Sequence, residues 1–175
     1  ILGRLAGVPI IISSERTMGQ ESRWRYWLNR LTDPLTDRVV CVSQQVADFV
    51  VQEVGIPQCK VVVIPNGIDL RNFKYLPAKQ QARAALGLPC DHVLIGTVAR
   101  LDPVKRLDVL LQALASVNGV CAVIIGDGPE RARLEALRGQ LGLVERVHFV
   151  GQQSNVPEWL AAMDLFVLPS DLSLI

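Results

Sequence analysis

This sequence of 175 residues has few aromatic residues, almost no net charge and no long hydrophobic run. Aromatic residues make up 5% of the chain and the formal net charge is +1, so no stacking surface or bulk attraction for nucleic acid is indicated. We therefore expect no nucleic-acid partner. No apolar run approaches the roughly 20 residues that a membrane-spanning helix needs, so no such helix is predicted.

The four cysteines are too scattered to indicate a disulfide framework or a zinc site. They are Cys41, Cys59, Cys90 and Cys121, with no C-x-x-C pair and no histidine at a zinc-ligand spacing. Three of them lie in or beside apolar, strand-like runs, where a free thiol behaves as a small hydrophobic group. We expect reduced thiols in a cytoplasmic protein.

Half of the residues are hydrophobic, and short apolar runs alternate with helix-like segments. This alternation predicts βαβ units and parallel sheets. The predicted strands are residues 8–14, 38–43, 59–65, 93–99, 120–125, 146–150 and 164–168. The predicted helices are residues 22–31, 44–54, 78–86, 104–117, 130–141 and 156–162. A more polar stretch, residues 70–90, interrupts the alternation and is the best linker candidate.

Two cations flank the junction between the strand 93–99 and the helix that follows it. In the motif RLDPVK, Asp102 suits an N-cap and the proline after it suits the first helical position. Arg100 and Lys105 would then lie at the positive end of a helix dipole, where cations are disfavoured. A bound anion would resolve the conflict, because such turns bind phosphates in open α/β sheets. A solvated turn, balanced by Asp102 and Asp108, is the alternative.

A glycine-rich turn, GDGPER, follows the strand 120–125 and opens the next helix. It is similar to the start of a dinucleotide-binding fingerprint, but Arg131 occupies the third glycine position. The proline after Gly128 also removes a backbone N–H that a pyrophosphate could use. Taken alone, the motif favours a tight turn that starts a helix over a loop that faces a ligand.

Six segments, taken in order, resemble the retaining nucleotide-sugar glycosyltransferases of family 4, also called group 1. They are residues 39–43, 63–69, 96–105, 125–130, 147–152 and 163–170. The resemblance implies an α/β fold of the GT-B type, with two Rossmann-like parallel-sheet domains that are both incomplete in this chain. It makes residues 1–67 the C-terminal part of the acceptor-side domain and residues 68–90 the interdomain linker. Residues 91–175 become the N-terminal part of the nucleotide-sugar-binding domain.

The resemblance also implies a donor site. It assigns the donor diphosphate to Arg100 and Lys105, whose charges take the place of a metal ion, so neither a metal nor a further cofactor is expected. It places the nucleotide beside Gly126, Gly128, Gly151, Gln152 and Gln153. The implied activity is transfer of a sugar from a nucleotide-diphosphate sugar to a saccharide or lipid-linked acceptor with retention of configuration. A non-catalytic nucleotide-sugar-binding module and a GT-B nucleotide-sugar epimerase are the alternatives.

The sequence departs from the family pattern at two places. Glu15 lies nearest the position where many relatives carry a histidine beside the donor sugar, which makes it a catalytic candidate or a plain surface acid. The family's two glutamates, seven residues apart, are expected shortly after Ser170, but the last glutamate of this chain is Glu158. We therefore expect no transferase activity from these 175 residues alone.

The predicted helix 22–31 has Trp24, Trp27, Leu28 and Leu31 on one face and several arginines. Such a helix can lie on an anionic membrane, which would place the protein at the inner face of the membrane as a peripheral partner. The favoured interpretation is that the tryptophan face packs on the sheet, because one short helix binds membranes weakly without a second anchor.

Overall fold

The computed structural model of the protein describes residues 2–16, 23–88 and 92–171. The chain divides into two compact units, the first reaching Ile68 and the second spanning Asp69–Asp171. Each unit is built on its own parallel sheet. The predicted class, an α/β protein with two parallel sheets, is therefore confirmed.

The first unit has a three-stranded sheet in the order β1-β2-β3. Its strands are β1 (Ile12–Glu15), β2 (Arg38–Cys41) and β3 (Val61–Val63). Its α-helices are α1 (Leu2–Leu5), α2 (Arg23–Thr32) and α3 (Gln44–Phe49). Short 3₁₀ segments lie at Asp33–Leu35 and Gln58–Lys60, and α3 continues as a π-helical turn over Val50–Val54.

Valine-rich segments of β2 and α3 form the core of the first unit. Val39 and Cys41 face the helices because alternate residues of a strand point to the same side of the sheet. α3 begins at the predicted N-cap, Ser43, whose hydroxyl accepts a hydrogen bond from the amide of Val46. The helical segment ends at Gly55, whose φ of +82° is the left-handed conformation that glycine adopts easily.

Helix α2 turns its tryptophan face away from this core. Trp24, Trp27 and Leu31 are 62%, 64% and 62% exposed. The prediction that this face packs on the sheet is wrong, because the opposite face is the one directed inward. Tyr26 from that face packs edge-on against Phe49 of α3, with ring centroids 5.7 Å apart. Among the helices that the structure describes, none combines the length and apolar character needed to cross a bilayer.

The second unit has a four-stranded sheet in the order β6-β5-β4-β7, and all its pairings are parallel. Its strands are β4 (Val93–Val98), β5 (Val120–Ile125), β6 (Val147–Gly151) and β7 (Leu165–Phe166). Its α-helices are α4 (Lys79–Leu86), α5 (Leu107–Ala115), α6 (Arg131–Gln140) and α7 (Val156–Ala162). Its 3₁₀ segments are Leu70–Phe73 and Pro103–Lys105.

The predicted helix 104–117 is two separate elements. Pro103–Lys105 forms a 3₁₀ turn, and α5 begins only at Leu107. Arg106 separates them with a φ of +47°, a left-handed conformation that interrupts the helical hydrogen bonds. Asp102 precedes the 3₁₀ turn, but its side chain makes no capping hydrogen bond. Lys105 therefore ends a short turn and directly precedes Arg106, the N-cap of α5.

Helix α4, which the sequence assigns to the linker, packs within the second unit against α7. Arg83 is only 4% exposed, donates to the carbonyl oxygen of Ala162 at 2.9 Å and forms an ion pair with Asp164. Asp164 also accepts from Lys79 at 2.6 Å and from the Leu94 amide at 2.8 Å. The bonds from Lys79 and Leu94, followed by Arg83, hold the pKa of Asp164 well below its usual range.

Candidate functional site

A groove of about 490 Å³ lies at the carboxyl ends of three adjacent strands of the second unit. Its walls are formed by Val98, Ala99, Arg100, Ile125, Gly126, Asp127, Gln152, Gln153 and Val156. These residues end or follow β4, β5 and β6, except for Val156, which begins α7. Ligands of open parallel sheets bind at this edge, so the fold favours this groove as a site.

Backbone hydrogen bonds join the segment after β4 to the glycine-rich turn after β5. The amide of Ala99 donates to the Ile125 carbonyl, and the amide of Leu101 donates to the Asp127 carbonyl, both at 3.0 Å. The carbonyl of Leu101 in turn accepts from the amide of Glu130 at 3.0 Å. Because the Leu101 side chain is fully buried in the core, the position of Arg100 beside it is fixed.

The two glycines of the turn are required by this close approach. A Cβ atom at Gly126 would lie 2.0 Å from the carbonyl oxygen of Ala99, and one at Gly128 would lie 2.7 Å from that of Leu101. Gly126 also has a φ of +128°, which side chains rarely adopt. The glycines therefore hold two chain segments together, and only Gly126 of the two lines the groove.

The end of β6 forms the opposite wall. Gly151 has a φ of +71°, and its carbonyl oxygen accepts from the amide of Gly126 at 2.8 Å. The side-chain amide nitrogen of Gln153 donates to the carbonyl of Val150 at 2.7 Å, which fixes that side chain. Gln152 is exposed at the groove. This wall presents amide groups, which suit recognition of a polar ring more than of a phosphate.

The charges at the groove are mixed. Arg100 is 73% exposed, and its Nε lies 3.3 Å from a carboxylate oxygen of Asp102. Asp127 lies on the wall, and its Oδ1 accepts from the amide of Gly128 at 2.7 Å. An Nη atom of Arg131 lies 3.7 Å from the other oxygen of Asp127. Lys105 is not part of the groove wall.

Glu15 lies in the first unit, at the carboxyl end of β1. It is opposite Cys41 in the parallel register and lines a second cavity, of about 230 Å³, between the sheet and α2 and α3. Burial raises the pKa of the Cys41 thiol, and the nearby Glu15 carboxylate raises it further. The catalytic role of Glu15 stays a prediction.

Of the residues predicted from the sequence, Arg100, Gly126, Gln152 and Gln153 meet in one groove. Gly151 borders the groove through its hydrogen bond to Gly126. Gly128 instead packs against the backbone of Leu101 and is not part of the groove wall. Two groove features escaped the sequence reasoning: the carboxylate of Asp127 and the contact of Arg131 with it. Their place in the GDGPER motif was visible, but the motif does not show which side chains face the groove.

Comparison with known proteins decides the family. Residues 78–172 match the family of glycosyl transferases group 1, and residues 2–72 match glycosyltransferase family 4. The chain belongs to the group 1 glycosyl transferases. Its groove lies within the part that matches this family.

Several relatives of this group 1 chain have named activities. An Escherichia coli UDP-Gal:alpha-D-GlcNAc-diphosphoundecaprenol alpha-1,3-galactosyltransferase is 29% identical, over 97% of this chain and 48% of that protein. The Rhizobium meliloti lipopolysaccharide core biosynthesis glycosyltransferase LpsD is 36% identical, over 75% of this chain and 36% of its own length. The chain spans about half the length, or less, of the curated relatives it matches.

Solved structures show the same fold. The crystal structure of Anabaena Alr3699/HepE in complex with UDP aligns with a TM-score of 0.84 at 23% identity, over 97% of this chain and 49% of that one. The structure of WaaG, a glycosyltransferase of lipopolysaccharide biosynthesis, aligns with a TM-score of 0.73 at 17% identity, over 97% of this chain and 55% of that one. The GT-B architecture predicted from the motifs is thus confirmed.

Proposed function

We propose that this chain carries the donor-binding groove of an enzyme that transfers a sugar from a nucleoside-diphosphate sugar to an acceptor with retention of configuration. The observation that carries the proposal is the meeting of Arg100, Gly126 and Gln152 at the carboxyl edge of a parallel sheet. Membership of group 1 supports sugar transfer as the reaction. The UDP-sugar named for the E. coli relative makes UDP the first nucleotide to test.

The proposed role of the cations follows from the chemistry of the leaving group. Negative charge grows on the nucleoside diphosphate as the glycosidic bond breaks. In this proposal Arg100, next to the buried Leu101, and Lys105, at the end of its 3₁₀ turn, stabilise that charge. We propose that these side chains supply the positive charge in place of a metal ion.

The proposed base contacts lie on the opposite wall. Gln153 is held by its bond to Val150, so its carbonyl oxygen keeps one direction, whereas Gln152 is exposed and adjustable. Together with the backbone of Gly151, they offer both donors and acceptors to a base edge.

The acceptor belongs to the first unit in this proposal, with Glu15 as its catalytic residue. The lipid diphosphate named for the E. coli relative supports a lipid-linked saccharide acceptor. A cytoplasmic location is part of this proposal, because the spacing of the four cysteines indicates no disulfide framework.

A lipid-linked acceptor gives the exposed face of α2 a role. We propose that Trp24, Trp27 and Leu31, with the exposed Arg30 beside them, contact the anionic inner face of a membrane. The chain should sediment with phosphatidylglycerol vesicles, and less so after Trp24→Ser and Trp27→Ser. Equal sedimentation of both proteins, or none, would contradict this contact.

The donor site is tested by titrating the 175-residue chain with UDP, GDP and ADP, with and without EDTA. We expect weak binding that EDTA leaves unchanged and that Arg100→Gln reduces about tenfold, because a charge-assisted hydrogen bond is lost. Arg133→Gln removes an exposed arginine of α6 outside the groove and serves as the control. Binding abolished by EDTA would show a metal contact, and no binding by the folded chain would reject the donor site.

The alternatives are separated by products. A full-length protein that carries this sequence should release nucleoside diphosphate only when an acceptor is present. Release of an epimerised sugar without acceptor would indicate the epimerase, and nucleotide binding without any product would indicate the binding module.

A further inference from the structure

Strand β6 lies at the edge of the second sheet as the structure describes it, and two side chains of α6 reach carbonyls at its free edge. The carbonyl of Arg146 accepts from Ala122 and therefore faces β5. Because carbonyl directions alternate along a strand, those of Val147 and Phe149 face the free edge. Edge carbonyls need partners from outside the sheet.

Two arginines of α6, seven residues apart and so on the same helix face, supply those partners. Arg138 donates from Nη1 to the carbonyl of Val147 at 3.1 Å. Arg131 donates from Nη2 to the carbonyl of Phe149 at 3.4 Å. The contact of Arg131 is the one nearer the groove, because Phe149 lies two residues before Gly151.

Arg131 makes three further approaches that Arg138 does not make. Its Nε donates to Glu135 at 3.0 Å, and its Nη1 lies 3.7 Å from the carboxylate of Asp127 on the groove wall. The same Nη1 would lie 3.5 Å from a Cβ atom at Gly151, so the guanidinium packs directly beside this glycine. One planar side chain thus touches the turn after β5 and the end of β6.

We propose that Arg131 is a positioning residue for nucleotide recognition, holding the wall 149–153 at a fixed distance from the glycine-rich turn. The inference rests on the proposed function, since it assigns a purpose to the base-contacting wall. Arg131 touches no substrate in this role, and it acts through Gly151 and the two glutamines after it. Its charge also offsets that of Asp127, whose carboxylate would otherwise repel a diphosphate.

The two effects of Arg131 are separable. Removing the charge that faces Asp127 lowers the affinity for every nucleoside diphosphate by the same factor. Loosening the wall instead reduces the discrimination between bases, because only the base meets the wall. Among UDP, GDP and ADP, the Kd of the weakest-binding nucleotide divided by that of the tightest-binding one therefore depends only on how Arg131 positions the wall.

The experiment compares wild type, Arg131→Gln and Arg138→Gln in the 175-residue chain. Arg138→Gln is the comparison variant: it removes the edge contact at Val147 and a cation–π contact with the ring of Phe149, but no contact with Asp127 or Gly151. In Arg131→Gln we expect about tenfold faster amide hydrogen exchange of residues 149–153 and an about tenfold smaller Kd ratio. Arg138→Gln should leave the Kd ratio unchanged. Asp127→Asn added to Arg131→Gln should restore overall affinity but not the ratio.

The outcomes distinguish this inference from the proposed function. Unchanged exchange in Arg131→Gln overturns the inference without any ligand, and faster exchange with an unchanged ratio shows a merely structural contact. An equal fall of the ratio in Arg138→Gln also overturns it. If the folded wild-type chain binds none of the three nucleotides, the proposed function fails, and the inference fails with it.

Discussion

Gly126 and Gly128 lie where the segment after β4 meets the turn after β5, and neither position has room for a Cβ atom. The shape of the groove thus depends on glycine at these two positions as well as on Arg100. The family resemblance placed the nucleotide beside both glycines, whereas the motif alone favoured a tight turn, and the structure shows that close packing requires them. A glycine that allows two backbones to approach has the same sequence signature as one that faces a ligand.

Gly126→Ala should destabilise the second unit by about 2–5 kcal/mol. The cost combines about 1–2 kcal/mol for an unfavourable backbone conformation with about 1–3 kcal/mol for the collision with the Ala99 carbonyl. Urea unfolding measures it. Gly139→Ala is the control, because that glycine of α6 has open space around its Cβ position, and alanine there should stabilise by about 0.5–1 kcal/mol. Equal stability of both variants would contradict the close approach.

Arg100→Ala and Lys105→Ala should each lower kcat/KM in a full-length enzyme that carries this sequence. The expected loss is roughly 2–4 kcal/mol of transition-state stabilisation each, if both side chains hold the leaving diphosphate. Steady-state kinetics with varied donor measures it. Wild-type kinetics in both variants would reject the assignment. If only Arg100→Ala lowers kcat/KM, Lys105, which lies outside the groove wall, does not bind the diphosphate.

At the scale of the element, the strands of the second unit were no more predictable than its helices, since α7 has its predicted bounds, residues 156–162. β5 has its predicted bounds, because its run of apolar residues is buried on both faces as in other parallel sheets. The start of α5 could not be predicted, since the left-handed conformation of Arg106 leaves no trace in the hydrophobic pattern. The periodicity of α2 identified an apolar face but could not show which face turns inward.

Helix α4 is anchored by an ion pair that should dominate its stability. Asp164→Asn replaces the carboxylate that pairs with the buried guanidinium of Arg83 by a neutral amide, and we expect a loss of about 3–5 kcal/mol in the free energy of unfolding. Lys79→Met removes the second cation that pairs with Asp164. The Lys79 side chain is 51% exposed, so this change should cost less than about 1 kcal/mol. Chemical denaturation of both variants provides the comparison, and similar losses would contradict a special role for the buried partner.

The same carboxylate predicts a pH dependence. Because the pKa of Asp164 is lowered on folding, its ionised form contributes stability above the unfolded pKa of about 3.9. That contribution is lost as the pH falls toward the folded pKa. The stability difference between wild type and Asp164→Asn should therefore be constant from about pH 8 to 5 and shrink below about pH 4. A difference that shrinks already near pH 6 would assign the effect to another group.

At the scale of the whole molecule, the two parallel sheets could be predicted because seven apolar runs alternate with amphipathic segments. The sequence spacing of Arg100, Gly126 and Gln152 could not predict that they meet in one groove. They are brought together only by the strand order β6-β5-β4. The family resemblance supplied that convergence, and the strand order explains it. The role of Lys105 at the diphosphate stays a prediction, since the groove wall does not include it.

The last prediction concerns what the 175 residues do by themselves. We expect them to bind a nucleoside diphosphate without turning over any nucleotide sugar, since they span about half the length of curated relatives and lack the expected glutamate pair. We expect the binding to be weak, because the family resemblance assigns the ribose contact to one of these glutamates, and the loss of such a contact removes roughly ten- to a hundredfold in affinity. An assay of UDP release from UDP-galactose and UDP-glucose, with saccharide and lipid-linked acceptors, measures turnover. The Arg100→Ala variant, prepared in parallel, controls for contaminating transferases. Turnover by the wild-type chain that this variant abolishes would show that these 175 residues suffice for catalysis, and would overturn the prediction.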